Sequence, residues 1–204
     1  MKTYFAKVLL IGCWLFAWIS PGYAQFYTAG SSSTEKSSVP DAWEISAAGV
    51  VDFVQLKDAS GLKAFSNQKG LSVRALFYSC PYLALGIEGT TFAKENFPGV
   101  KKYRVNRLGA VGKLLLSANT LPRSYMLFGI GRTSRELDFS LGWQESADST
   151  YYQLGLGLET DVWEMIFAGA ELNFIYNDAT RIGNFYRLSN RWETQLSLRA
   201  GIRF

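Results

Sequence analysis

The sequence predicts an all-β protein: an eight-stranded antiparallel up-and-down transmembrane β-barrel. Three observations predict it. From Ala42 onward, segments of about ten residues alternate between apolar and polar or small side chains, the period of strands whose two faces meet different surroundings. In each segment the majority face is almost purely aliphatic and aromatic, while the minority face holds Glu, Arg, Lys and Gly. The gaps between segments are alternately long and short, as in a barrel with short turns at one end and loops at the other. No run of about 18 apolar residues follows the first 24 residues, so a bundle of membrane helices is not expected.

The chain opens on a segment with the pattern of a secretory leader. Lys2 and Lys7 supply positive charge, residues 8–19 are apolar, and Gly22-Tyr23-Ala24 offers the small residues a signal peptidase needs before Gln25. The apolar run is too short to cross a bilayer as a helix, and Ser20-Pro21-Gly22 follows it at once. Leu10-Ile11-Gly12-Cys13 resembles a lipobox, so lipidation at Cys13 stands as the alternative to cleavage after Ala24. The continued apolar run through Trp14, Leu15 and Phe16 favours cleavage. Residues 25–41 are Ser-rich, lack periodicity and read as a flexible tail. The barrel is expected over 42–204.

The first strand, 43–56, places Trp43, Ile45, Ala47, Val51 and Phe53 on one face and Glu44, Ser46 and Asp52 on the other. The second, 71–79, sets Leu71, Val73, Ala75 and Phe77 against Ser72, Arg74 and Tyr78. The third, 83–92, sets Leu83, Leu85 and Ile87 against Gly86, Glu88 and Thr90. The fourth, 103–116, sets Leu108, Ala110, Gly112 and Leu114 against Arg107, Gly109 and Lys113. The fifth, 125–132, sets Met126, Phe128 and Ile130 against Gly129 and Gly131. The sixth, 151–160, sets Tyr152, Leu154, Leu156 and Leu158 against Gln153, Gly155, Gly157 and Glu159. The seventh, 164–176, sets Ile166, Ala168, Ala170, Leu172 and Phe174 against Gly169, Glu171 and Asn173. The eighth, 192–204, sets Leu196, Leu198, Ala200, Ile202 and Phe204 against Ser197, Arg199, Gly201 and Arg203.

Short gaps fall at 80–82, 117–123 and 161–163, and long polar ones at 57–70, 93–102, 133–150 and 177–191. This order puts every short turn at the same end as both termini. Closing the sheet removes the unpaired edges that hydrocarbon cannot satisfy. A soluble β-barrel would also alternate, but with the apolar face as its inside and charge without. Aromatics should gather in two belts, Trp43, Tyr82, Tyr125, Trp163 and Phe204 near the short turns and Phe53, Tyr103, Tyr151, Tyr176 and Trp192 near the long loops.

The strand phases send Glu44, Asp52, Glu88, Glu159 and Glu171 inward together with Arg74, Arg107, Lys113, Arg199 and Arg203. Eight strands enclose a space that side chains just fill, so these balanced charges are expected to pair. The chain contains no His, which excludes Ser-His-acid catalysis and removes the commonest metal ligand. Formal charge is +4, falling to +2 without Lys2 and Lys7, too small a balance to argue for nucleic acid. Of the two cysteines, Cys80 alone remains once Cys13 leaves with the leader, so no intramolecular disulfide is expected.

Several runs together resemble the transmembrane domain of the OmpA-type outer-membrane proteins: residues 111–123, Tyr152-Gln-Leu-Gly-Leu-Gly-Leu-Glu159, Phe167-Ala-Gly-Ala-Glu171 and the closing 196–204. The resemblance covers essentially the whole chain from Ala42. It implies a bacterial outer-membrane location and a charged interior cluster to which Glu88, Lys113, Glu171 and Arg199 correspond. The alternation of Leu196, Leu198, Ala200, Ile202 and Phe204 likewise resembles the C-terminal signal through which the barrel-assembly machinery recognises such chains. The periplasmic peptidoglycan-binding domain that many members carry is not found in these residues.

These readings lead to an outer-membrane protein with a structural or surface-interaction role. Its lumen would be plugged by Glu88, Arg107, Lys113, Glu159, Glu171, Arg199 and their neighbours. Its partners would be outer-membrane lipids and an envelope or surface partner met through the loops, and no cofactor is expected. The alternative is a small pore, for which Gly129, Gly131, Gly155 and Gly157 would provide room. An enzyme acting on membrane lipid is the third reading, weakened by the lack of His.

Overall fold

The computed structural model describes residues 43–58, 61, 63–97, 99–116, 121–182 and 184–204. The expected leader at 1–24, with Cys13 and the Ala24 junction, and the tail at 25–41 lie outside the described residues. In chain order the strands are β1 (Trp43–Asp58), β2 (Lys63–Cys80), β3 (Leu83–Phe92), β4 (Glu95–Phe97), β5 (Val100–Leu115), β6 (Arg123–Phe139), β7 (Gln144–Asp161), β8 (Ile166–Asn177), β9 (Arg181–Ile182), β10 (Tyr186–Leu188) and β11 (Trp192–Arg203).

Eight of these, β1, β2, β3, β5, β6, β7, β8 and β11, form an antiparallel meander in which each strand bonds to the next. β11 then returns to β1, pairing from Glu44 opposite Arg203 to Phe53 opposite Thr194. Trp43 and Phe204 exchange backbone hydrogen bonds of 2.9 and 3.0 Å and complete the ring. Every backbone edge of the barrel is thereby paired. The faces follow the alternation in the sequence. On β7, Leu154, Leu156 and Leu158 point outward and are about half exposed, while Gln153 and Glu159 between and beside them are buried. The outward row of β11, Leu196, Leu198, Ala200 and Ile202, is likewise exposed, as is Phe204 just after it.

The four gaps expected as long polar loops are instead largely strand. β1 and β2 run on to Asp58 and from Lys63, β6 continues to Phe139, and β7 already begins at Gln144. The gap at 93–102 holds β4 and the start of β5, and that at 177–191 holds the β9–β10 hairpin, whose β10 extends β1 through Leu56 opposite Leu188. The physical reason is a reversal of polarity along the barrel. At the end away from Trp43 and Phe204 the inward residues become Val54, Leu56, Phe92, Val100, Tyr103, Val105, Leu137, Phe139, Ile182 and Leu188, one buried apolar cluster. Their outward neighbours on β6 are Arg132, Ser134, Glu136 and Asp138. This end buries an apolar face and turns its polar one outward, as a sheet in water does. Its polar half made it look like loop by composition. Ile182, 1% exposed in this cluster, is expected to cost about 0.5–1.5 kcal/mol when changed to Val, read from the urea unfolding midpoint.

Four of the expected belt aromatics are not in a belt. Tyr125, Tyr103 and Tyr151 are buried inside the barrel. Each has the parity of its strand's inward row, shared with Leu127, Val105 and Gln153, and parity outweighs position along the strand. Tyr82, with the inward parity of Ala84, packs against the buried cluster of Leu76, Ala84 and Val111, whereas Trp43, Trp163, Phe53 and Trp192 face outward at the strand ends.

Candidate functional site

The alternation delivers one inward residue per two from every strand, so the lumen is built by eight strands at once. Its charged side chains occupy three levels. Nearest the ends of β1 and β11 at Trp43 and Phe204, Lys113 of β5 sits 2.8 Å from Glu44 of β1 and 2.6 Å from Glu159 of β7. Arg203 of β11 joins the same two carboxylates at 3.3 and 2.5 Å and reaches Asp161 at 2.9 Å. The hydroxyl of Tyr78 donates to Glu44 at 2.8 Å, and the Lys113 ammonium lies 4.6 Å from the centre of the Tyr125 ring. Cation–π attraction of this kind strengthens where water is excluded.

The middle level is a closed quartet. Arg74 bridges Glu88 at 3.0 Å and Glu171 at 2.7 Å, and Arg199 bridges the same two at 2.7 and 3.0 Å. Tyr125 and Ser197 add hydroxyl donors to Glu171, at 2.8 and 3.2 Å, and Arg199 donates to the Ser46 hydroxyl at 3.1 Å. All four ions are nearly inaccessible to solvent. Two guanidiniums and two carboxylates cancel in charge, and forked hydrogen bonds fix their geometry.

The third level lies next to the apolar cluster. Arg107 pairs with Asp52 at 2.8 Å and with Glu193, and donates to the Gln195 side chain at 3.1 Å. Arg135 binds Glu193 at 3.2 Å, the Ser149 hydroxyl at 2.8 Å and the Asn177 side-chain oxygen at 2.9 Å.

Glu88, Arg107, Lys113, Glu159, Glu171 and Arg199 are therefore all buried inside the barrel but divided among these levels. Lys113 does not meet Glu88 and Glu171, with which the family resemblance grouped it in one cluster. Glu88 stands opposite Gly109 on β5, four residues and about 13 Å from Lys113 along that strand. Sequence reasoning missed Arg135 and Glu193. Both were legible from parity: Arg135 continues the inward row Thr133, Leu137 and Phe139, and Glu193 precedes Gln195 and Ser197 on the inward row of β11. Among the described residues, no group of three His, Cys, Asp or Glu side chains is placed to hold a metal ion.

No protein-family model and no curated protein matches this chain. Solved structures do. The crystal structure of Neisserial surface protein A superposes over 80% of this chain and 97% of its own, with a TM-score of 0.63 and 12% identity. Ail, the attachment invasion locus protein of Yersinia pestis, solved in complex with the heparin analogue sucrose octasulfate, covers 80% of this chain and 99% of its own, with a TM-score of 0.52 and 15% identity. The chain has the eight-stranded antiparallel β-barrel fold of these proteins. In this barrel the glycines expected to leave room in the lumen do not. A Cβ on Gly157 would strike the Tyr125 ring, one on Gly155 the Asn173 amide, and one on Gly131 the Tyr151 ring. Gly129 has Gln153 and Val111 against it at 3.4 and 3.2 Å. Gly131, Gly155 and Gly157 are thus each the floor for a side chain reaching across from a neighbouring strand. Gly157 is what lets Tyr125 reach Glu171.

Proposed function

We propose that the protein resides in the bacterial outer membrane as a non-enzymatic barrel with a structural or surface-directed role, its lumen sealed by paired charge. One observation carries this reading: three ion-pair levels fill the lumen, with one buried apolar cluster beyond the third level and a second packed around the first. Beyond the third level is the cluster of Leu56, Phe92, Val100, Leu137 and Phe139, and around Lys113 is that of Leu76, Tyr78, Ala84, Val111, Leu115 and Leu127, of which Ala84 and Leu127 stand opposite Lys113 on the neighbouring strands. An ion crossing the lumen would have to break buried pairs and then pass apolar packing, both costly in a water-poor interior. The same proposal includes delivery by the leader at 1–24 and recognition of the Leu196, Leu198, Ala200, Ile202 and Phe204 row by the assembly machinery, with a partner met at the end away from Trp43 and Phe204.

The purified barrel, inserted in a planar bilayer, is expected to show no steady current at 100 mV. Reproducible ohmic conductance scaling with inserted protein would overturn the sealed lumen and return the small-pore reading.

A further inference from the structure

A cleft of about 450 Å³ opens on the outer surface beside the β9–β10 hairpin, lined by Lys57, Thr180, Arg187, Leu188, Ser189, Asn190 and Arg191. Three of these are cations and none is a carboxylate. Lys57 stands directly opposite Arg187 in the β1–β10 pairing. Like charges facing one another across a strand pair repel and lower stability. Several outward arginines have carboxylate partners: Arg104 has Glu136, Arg123 has Asp161 and Arg132 has Asp148. Among the described residues, Lys57, Arg187 and Arg191 belong to no ion pair. The nearby Asp178 is engaged elsewhere, accepting the Thr150 amide at 2.9 Å, and Asp58 faces Tyr186.

The walls of the cleft are held in place before any ligand arrives. Ser189 donates its amide to Gln55 at 2.8 Å, Leu188 to Thr180 at 2.7 Å, and Asn177 to Arg191 at 2.8 Å. Leu188 is anchored in the apolar cluster beneath. One guanidinium is already aimed: Arg191 donates to the Tyr176 hydroxyl at 2.9 Å. Tyr176 in turn packs edge-on against the exposed Trp192 at 5.2 Å and lies 6.3 Å from Tyr152. The cleft therefore sits just above an outward-facing group of Trp and Tyr, the side chains that settle at headgroup depth.

We propose that this cleft is a binding site for a phosphate oxyanion, the headgroup phosphate of an outer-leaflet lipid or free phosphate. Two forked guanidiniums suit tetrahedral phosphate oxygens, and Lys57 adds a third charge that a neutral ligand would leave uncompensated. The Ser189 and Thr180 hydroxyls and the Asn190 amide supply neutral donors at the rim. The lipid arm of the proposal rests on the membrane reading above, because the tyrosine and tryptophan group must lie at headgroup depth for a lipid phosphate to reach the cleft.

The test compares the full-length folded barrel with the triple variant Lys57→Gln, Arg187→Gln, Arg191→Gln in maltoside micelles. The altered side chains are exposed or half-exposed, and unchanged heat-modifiable mobility verifies that the variant folds. Retention of phosphatidic acid, of oleate as a carboxylate control, and of inorganic phosphate is measured by native mass spectrometry and calorimetry. The expected result is retention of phosphatidic acid at least ten-fold above the variant, with oleate little retained by either. Binding of inorganic phosphate without phosphatidic acid would keep the oxyanion site and assign it to the free anion. Equal retention by wild type and variant, no binding of either phosphate, or equal loss of oleate would overturn the proposal. Insertion into phosphatidylcholine vesicles, measured alongside, separates the two readings: a barrel that inserts but binds no phosphate defeats only the cleft, and one that does not insert defeats the membrane reading.

Discussion

Glu171→Ala is expected to destabilise the barrel by about 3–5 kcal/mol, the cost of removing one partner from a buried ion pair. Glu171 holds two guanidiniums and two hydroxyls at once: Arg74 at 2.7 Å, Arg199 at 3.0 Å, Tyr125 at 2.8 Å and Ser197 at 3.2 Å. Truncating it leaves Arg74 and Arg199 sharing Glu88, one net positive charge with no water to hydrate it. Urea unfolding of the reconstituted protein, followed by heat-modifiable mobility, measures the loss. The double variant Glu171→Ala, Arg199→Ala leaves the neutral Arg74–Glu88 pair and is expected to lose less than the sum of the single changes. A single variant within about 0.5 kcal/mol of wild type, the range of an ordinary surface change, would mean that water replaces the missing carboxylate and that the lumen is hydrated.

Leu156→Arg tests the opposite face. Leu156 is outward and 54% exposed, in register with Met126 on one side and Leu172 on the other. Along β7 it lies between Leu154 and Leu158, with Tyr152 towards one end and Thr160 towards the other, close to the centre of the apolar band. Arginine at the midplane of a bilayer-embedded barrel costs about 2–4 kcal/mol. Ser146→Arg supplies the control on the same strand and the same face. Ser146 belongs to the end where the outward residues are polar, so its change should stay within about 0.5 kcal/mol. Equal effects for the two variants would mean that the exposed leucines do not meet lipid.

The faces of the strands were readable from sequence because parity is a local property. Leu154, Leu156 and Leu158 against Gln153, Gly155 and Gly157, or Leu196 to Phe204 against Ser197 to Arg203, need only a period of two to be sorted between two media. The same parity already contained the inward course of Tyr125, Arg135 and Glu193. For Arg135 it was obscured because the outward residues beyond the apolar band, Arg132, Ser134, Glu136 and Asp138, are polar, and polar composition reads as loop; Tyr125 and Glu193 lie in expected strands, and Tyr125 was set in a belt by its place at a strand end.

By itself, then, the sequence determined an eight-stranded barrel with apolar exterior rows and a balanced set of inward charges. It did not determine how those charges pair. Lys113 and Glu44 are 69 residues apart in the chain, Arg199 and Glu88 111, and Arg74 and Glu171 97. Which of them share a level depends on the tilt and stagger of strands closing on one another around the ring, a relation between strands that no local pattern records. The cleft of Lys57, Arg187 and Arg191 has the same origin: its cations come from two distant stretches of chain, and only the pairing of β10 with the end of β1 brings them face to face.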